Sequence, residues 1–213
     1  AIQRDASYSR AFLNRGTAKF MLKDYSGAVD DLEKAKLAEG ETPEMLTMLG
    51  VANYSLGKKE SARAYLDKAL NAGVKDSKAL LFAGYLRFEA KDYKGALEAL
   101  SAAERAGEKE DGLYLIRGKA YYQQKEYTAA IPDLEKGVQK GTADLAAYEA
   151  ISLSYLAVQK EKQALVSFEK AASLDSKSKD VYYQMGNLRF KENNFAGAIE
   201  AYDKAITLGA NDE

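Results

Sequence analysis

The sequence predicts an all-α solenoid of six helical hairpins in tandem, and three observations carry that prediction. Small residues return every 34 positions, apolar residues recur at helical spacing on both sides of a short polar turn, and six such periods run from Ser9 to Asp212 without insertion or deletion. A composition of 30% charged and 46% hydrophobic residues, with two prolines in 213, suits ordered helix. One hairpin cannot bury both of its apolar faces, so the units are expected to stack in line around a continuous core.

Taken in order, residues 1–8 come first. Ala1-Ile2-Gln3-Arg4-Asp5 fall in phase with Ala205-Ile206-Thr207-Leu208-Gly209, the last turn of a second helix, so 1–8 are expected to be the end of a truncated preceding repeat of a longer chain. The units follow as 9–42, 43–76, 77–110, 111–144, 145–178 and 179–212, expected to form one domain with no linker. Their eighth residues are Gly16, Gly50, Gly84, Gly118, Ser152 and Gly186; their twentieth are Ala28, Ala62, Ala96, Ala130, Ala164 and Ala198. Their twenty-seventh are Ala35, Ala69, Ala103, Gly137, Ala171 and Ala205. Where two helices cross, Gly or Ala lets the backbones approach, and larger neighbours fill the groove beside them. The recurring knobs are Leu32, Leu66, Leu100, Leu134, Phe168 and Tyr202.

Between the two helices of each unit lie Lys23-Asp24, Gly57-Lys58, Lys91-Asp92, Lys125-Glu126, Gln159-Lys160 and Asn193-Asn194, polar pairs able to cap the second helix. Gly40, Gly73, Gly107, Gly141 and Gly209 stand where a left-handed residue would stop that helix. Thr42-Pro43 predicts an N-cap and first-turn proline for the third helix. Pro132 falls inside the second helix of the fourth unit, where it removes a backbone hydrogen bond. At the far end, Ile199, Tyr202 and Ile206 have no following helix in this sequence to cover them, which predicts end-to-end self-association or further sequence there.

These residues resemble the tetratricopeptide repeats. The match is fullest in the last unit, Tyr182-Tyr183-Gln184-Met185-Gly186-Asn187 through Phe195-Ala196-Gly197-Ala198-Ile199 to Lys204-Ala205-Ile206. The family's proline after the second helix is missing, with Gly40, Val74, Glu108, Thr142, Ser176 and Ala210 in its place. The resemblance implies a right-handed superhelix and a non-catalytic scaffold whose first helices line a concave groove that receives another polypeptide. The inward candidates are Tyr54, Leu81, Tyr85, Phe88, Leu115, Lys119 and Tyr122, continued by Leu153, Tyr183, Asn187 and Phe190. Among them Tyr54, Phe88, Tyr122 and Phe190 share one phase and have packing against the adjacent hairpin as their alternative role. Tyr85, Lys119, Glu149, Tyr183 and Asn187 vary from copy to copy, as contact residues do and as unconstrained surface also does.

Cochaperone members of the family hold a C-terminal carboxylate with cations and Asn on three consecutive first helices. The matching places are Leu13, Thr17, Met48, Lys78 and Phe82, or Leu115, Lys119, Ala150, Asp180 and Gln184. One cation survives in each set, so no carboxylate clamp is expected. The expected ligand is a peptide or protein with apolar anchors, because Lys78, Lys119 and Lys191 alternate with Glu44, Glu89, Glu149 and Asp180 along the inner wall.

With no Cys and no His, the chain has no thiolate or imidazole for metal binding, nucleophilic attack or proton relay. Missing cysteine leaves the compartment open. Carboxylate pairs such as Asp30/Asp31 and Glu192/Glu200 read as solvated helix surface, and Glu89 and Glu149 alone define no reaction class. No enzyme activity, cofactor or metal is expected. A net charge of −1 and a mixed-sign lining argue against nucleic acid despite 15 tyrosines. Every apolar run stops short of the ~20 residues that a bilayer needs, so no membrane insertion is expected.

Overall fold

The computed structural model describes residues 6–138, 144–174 and 177–209, and the regular structure among them is entirely helical. The order is α1 (Ala6–Met21), α2 (Tyr25–Glu39), α3 (Pro43–Ser55), α4 (Lys59–Asn71), α5 (Ser77–Glu89), α6 (Tyr93–Arg105), α7 (Asp111–Gln123), α8 (Tyr127–Val138), α9 (Leu145–Ala157), α10 (Glu161–Ser173), α11 (Lys179–Lys191) and α12 (Phe195–Gly209). Each odd-numbered helix pairs with the next even-numbered one as a hairpin. From α2 onward every helix starts 34 residues before its counterpart in the following hairpin. Helix α1 starts at Ala6, three residues ahead of Ser9; residues 1–5 lie outside the described residues. Two compact units result, Ala1–Lys109 with α1 to α6 and Glu110–Glu213 with α7 to α12.

The small phases close each hairpin on itself. A Cβ built on Gly50 or Gly84 would lie 2.7 or 2.6 Å from the Leu66 or Leu100 side chain, sixteen residues on in the same hairpin. The knob therefore belongs to the second helix of the same hairpin and occupies the space a side chain would take. In the fifth hairpin Ser152 stands opposite Phe168, both are buried, and the Ser152 hydroxyl donates to the Tyr148 carbonyl at 2.6 Å. The twentieth residues, from Ala28 to Ala198, are all buried. Joining of successive hairpins builds the cores: Ala28, Leu32 and Ala35 of α2 meet Met45 and Leu49 of α3, and Ala62 and Leu66 of α4 meet Ala79, Ala83 and Leu86 of α5. In the second unit one cluster runs from Ala130 to Ala201.

Turn chemistry follows the period with one unexpected feature. The first turn residue is left-handed in all six hairpins: Lys23, Lys91 and Lys125 have φ of 62°, Gln159 60°, Asn193 61° and Gly57 74°. Five of these are not glycine, so each turn carries roughly 1–2 kcal/mol of strain that hairpin packing outweighs. The next residue caps the second helix where it is short and polar. Asp24 and Asp92 accept from the Gly27 and Gly95 amides at 3.0 and 2.9 Å, and Asn194 from Gly197 at 3.0 Å. Lys58 and Lys160 make no side-chain cap. Cap and glycine occur together because a Cβ at Gly95 would collide with the Asp92 carboxylate; where Lys58 and Lys160 stand, the residue three on is Ser61 or Gln163.

Helix stops agree with the expectation at Gly40, Gly73 and Gly107, with φ of 87°, 89° and 100°. Gly209 differs: it is the last residue of α12 itself, not a left-handed stop beyond it. Gly141, Thr142, Ser176 and Ala210 lie outside the described residues. Thr42 caps α3 by accepting from Met45 N at 3.2 Å, with Pro43 in the first turn. Pro132 lies inside α8.

Candidate functional site

In the first unit the first helices α3 and α5 pack side by side and bring three part-exposed rings together. Tyr54 stacks on Phe82 with centroids 4.1 Å apart and planes at 15°, and Tyr85 lies 6.3 Å from both. The reason is local. Phe88, at the phase of Tyr54, turns toward its own hairpin and meets Tyr93 at 5.6 Å, as Phe20 meets Tyr25 at 5.9 Å. In the second hairpin the second helix begins with Lys59 where the others have Tyr25 or Tyr93, so Tyr54 has no ring at hand and stacks forward on Phe82. Lys59 pairs instead with Glu89 at 2.8 Å, and Lys78 with Glu108 at 3.2 Å. Phe82 was named in the sequence only as a place matching the carboxylate clamp, not among the inward aromatic candidates; Lys59 in place of an aromatic at the start of α4 was the available signal.

The second unit distributes its candidates differently. Tyr122 meets Tyr127 edge-on at 5.9 Å and Phe190 meets Phe195 at 5.3 Å, the same closure within one hairpin. Burial, then Tyr127 and Glu149, push the Tyr122 hydroxyl pKa up. Lys119 of α7 pairs with Asp144 at 2.6 Å, and Asp144 also accepts from Ala147 N at 2.9 Å to cap α9. Asn187 accepts from the Tyr202 hydroxyl at 2.9 Å, and the Tyr202 ring lies 6.1 Å from Tyr183. Glu149 is half-buried, whereas Tyr183 and Phe190 are exposed, at 53% and 56%.

One carboxylate departs from the expected solvated surface. Asp30 is exposed, but Asp31 is buried, held by Arg15 through Nε at 2.7 Å and Nη2 at 2.8 Å and by Lys19 at 2.8 Å. The Arg15 hydrogen bond holds its carboxyl far below the usual carboxylate range, against the opposing effect of burial. A corresponding fork recurs three hairpins later, where Arg117 donates to Asp133 at 2.6 and 2.9 Å with both residues buried. The rings beside these pairs also correspond: Arg15 and Lys34 lie over Phe12, and Arg117 and Lys136 over Tyr114. Sequence spacing alone did not reveal this constellation, because its members lie on both helices of a hairpin.

One open cleft of about 370 Å³ has a mixed lining, with Arg63, Asp67, Arg87 and Asp92 beside Leu66, Ala83 and Leu86, and no aromatic ring. Among the described residues no group of three or more acidic side chains is placed to hold a metal ion, and no helix is long and apolar enough to cross a membrane.

Antiparallel hairpins of fixed length, closed by small residues and joined through their second helices, define an all-α repeat scaffold. Tetratricopeptide-repeat family models match residues 13–80, 47–111 and 81–146, and a further one matches 179–212. The chain belongs to the tetratricopeptide repeat family. Among solved structures it is similar to YrrB, a TPR protein with an unusual peptide-binding site, at 24% identity over 83% of this chain and 91% of that one, with a TM-score of 0.68. It is also similar to MamA from Desulfovibrio magneticus at 20% identity, 80% and 97% coverage and a TM-score of 0.61. A second MamA structure matches at 16% identity, 80% and 98% coverage and a TM-score of 0.65. No curated protein sequence matches significantly. The family makes the chain a protein-interaction scaffold, a class of module that is generally non-catalytic.

Proposed function

We propose that the chain binds an extended or helical segment of another polypeptide on the faces of its first helices, through apolar anchors and without a carboxylate clamp. The observation that carries this reading is the part-exposed cluster of Tyr54, Phe82 and Tyr85. Aromatic side chains offer large contact area at low entropic cost. Tyr183, with Asn187 and Glu149, is the corresponding candidate in the second unit. YrrB, of the same fold, has a peptide-binding site. The absence of a clamp is supported by the two cations at clamp places, since Lys78 is paired with Glu108 and Lys119 with Asp144. A carboxylate ligand would have to displace partners already in place.

Peptides selected against the chain from a random library, then titrated by calorimetry, test the reading. Tyr85→Ala or Tyr183→Ala is expected to weaken a selected peptide about tenfold, equivalent to ~1.4 kcal/mol. A short acidic C-terminal peptide is expected to give no micromolar binding. Selected peptides that bind both variants as tightly as the parent would overturn the assignment of these faces.

A further inference from the structure

We propose that the junction between α4 and α5 takes an aromatic side chain of another polypeptide, in a cleft at the turn edge where the hairpin lacks a ring of its own. The inference goes beyond the first-helix faces and does not rest on them. It starts from the first position of the second helix. In four hairpins that position is a ring, Tyr25, Tyr93, Tyr127 or Phe195, and it meets a ring of the first helix of the same hairpin at between 5.3 and 5.9 Å. Lys59 holds the position in α4 and Glu161 in α10, so the middle hairpin of each unit lacks that ring.

A cleft opens beside each replacement. In the first unit it measures about 440 Å³ and is lined by Lys59, Arg63 and Ala64 of α4 and by Leu86, Glu89 and Ala90 at the end of α5. In the second unit it measures about 420 Å³, with Glu161, Leu188 and Lys191 in corresponding places. Both volumes fall in the ~300–1,000 Å³ range of ligand sites. Where the chain keeps the ring, Tyr25 and Tyr127 are half-buried, whereas Lys59 and Glu161 are exposed. Helices α4 and α5 are interior to the first unit, with described helices before and after them.

The lining selects a ring as the occupant. Leu86, 1% exposed, supplies an apolar floor, and Lys59 and Arg63 bring apolar stems and charges to the walls. Arg63 donates to the Leu86 carbonyl at 3.0 Å, which fixes its guanidinium beside the floor. An aliphatic group would gain only from the floor and the stems, whereas a ring also gains from cations over its face. The chain covers its own rings in this way, with Lys36 4.8 Å from the Tyr65 centroid and Lys136 3.5 Å from that of Tyr114.

The ion pairs rank the two clefts. Lys59 starts α4 and Glu89 ends α5, so their contact at 2.8 Å sets each charge against its helix dipole. Glu161 starts α10 and Lys191 ends α11, so their contact at 2.6 Å has each charge favoured by its dipole. The first pair therefore yields more readily to an incoming group, and the cleft between α4 and α5 is the stronger site.

Two-dimensional NMR of the labelled full chain, titrated with N-acetyl-phenylalaninamide, tests this. The amides of Arg63, Leu86 and Ala90 are expected to shift and to saturate at millimolar probe, with N-acetyl-leucinamide about fivefold weaker. Lys59→Tyr supplies the ring that four other hairpins carry, and is expected to weaken the probe about tenfold or more while melting at or above the parent temperature. Ala64→Phe, at an exposed position of the same lining, is expected to weaken it similarly, and Tyr85→Ala to leave it unchanged. Shifts confined to Tyr54, Phe82 and Tyr85 would overturn this proposal and leave the first-helix reading standing. No shift at the cleft amides, equal affinity for the two probes, or undiminished binding in Lys59→Tyr and Ala64→Phe would each overturn it as well.

Discussion

Replacing Gly118 by Ala tests the hairpin-closure argument most directly, because two opposing effects act at one site. A Cβ there would stand 2.8 Å from Leu134 Cγ and 2.8 Å from the Leu134 backbone nitrogen. The side chain can rotate away, but the amide moves only if α8 moves. Overpacking of this kind costs ~1–3 kcal/mol, against a gain of up to ~1 kcal/mol from the better helix propensity of Ala. The net expectation is a loss of about 1–2 kcal/mol, or a melting shift of about 2–8 °C for a chain of this length. Two comparisons isolate the cause. At Gly16 the nearest atoms are side-chain carbons, Leu32 Cγ at 3.0 Å and Asp31 Cβ at 3.2 Å, so Gly16→Ala should cost less. At Gly209 a Cβ meets only Lys179 Cδ at 3.7 Å, so Gly209→Ala should be neutral or slightly stabilising. Thermal and urea unfolding followed by circular dichroism read all three. A Gly118→Ala chain that melts at or above the parent, or a Gly209→Ala chain that falls as far, refutes the reasoning.

Other outcomes follow from the same structure. Ala96→Leu, at a buried crossing, should cost ~1–3 kcal/mol while exposed Lys94→Leu costs little; equal melting shifts would contradict the assignment of that phase. Asp92→Ala should lose ~0.5–2 kcal/mol with its cap on Gly95, and Lys160→Ala, which removes no cap, should not; denaturation midpoints compare them. Burial and then the Glu135 hydrogen bond push the Tyr155 hydroxyl up to about 12 from its ordinary 10.0. The folded chain therefore holds that proton more tightly than the unfolded chain, and stability should fall between those two pH values, with a shallower fall in Tyr155→Phe. Asp31 acts in the opposite sense: its lowered pKa stabilises the fold above the ordinary carboxylate range, and that contribution should fade as pH falls below it. Asp31→Asn should flatten the acid limb of a stability profile.

Much of the fold was legible in the sequence because size at a helix crossing is recorded once per hairpin and six copies repeat the record. The 34-residue spacing of the helices, the crossings at Gly50 and Gly84, the Thr42 cap and the caps at Asp24, Asp92 and Asn194 are local or periodic, and each agrees with the structure. The left-handed turn residues were less legible. A polar pair such as Lys91-Asp92 fits several turns, and packing of the two helices, not the preference of Lys91, selects φ of 62°.

The candidate surfaces depended on tertiary structure to a greater degree. Asp30 and Asp31 are adjacent in sequence and equivalent in chemistry, yet the helix crossing carries Arg15 to one of them only. Tyr54 and Phe88 occupy the same phase, but the first residue of the following helix, Lys59 or Tyr93, decides which ring joins Tyr85 and which closes its own hairpin. Lys119 is a cation in the sequence and a paired side chain in the fold, because Asp144, the N-cap of α9, lies beside it. By itself the sequence determined the period, the phases and the buried small residues, since steric fit at each crossing depends on side-chain size that repetition makes visible. The tertiary structure decided which charges are neutralised and which rings remain part-exposed, since both depend on side chains that are distant in the chain and are brought together only by packing.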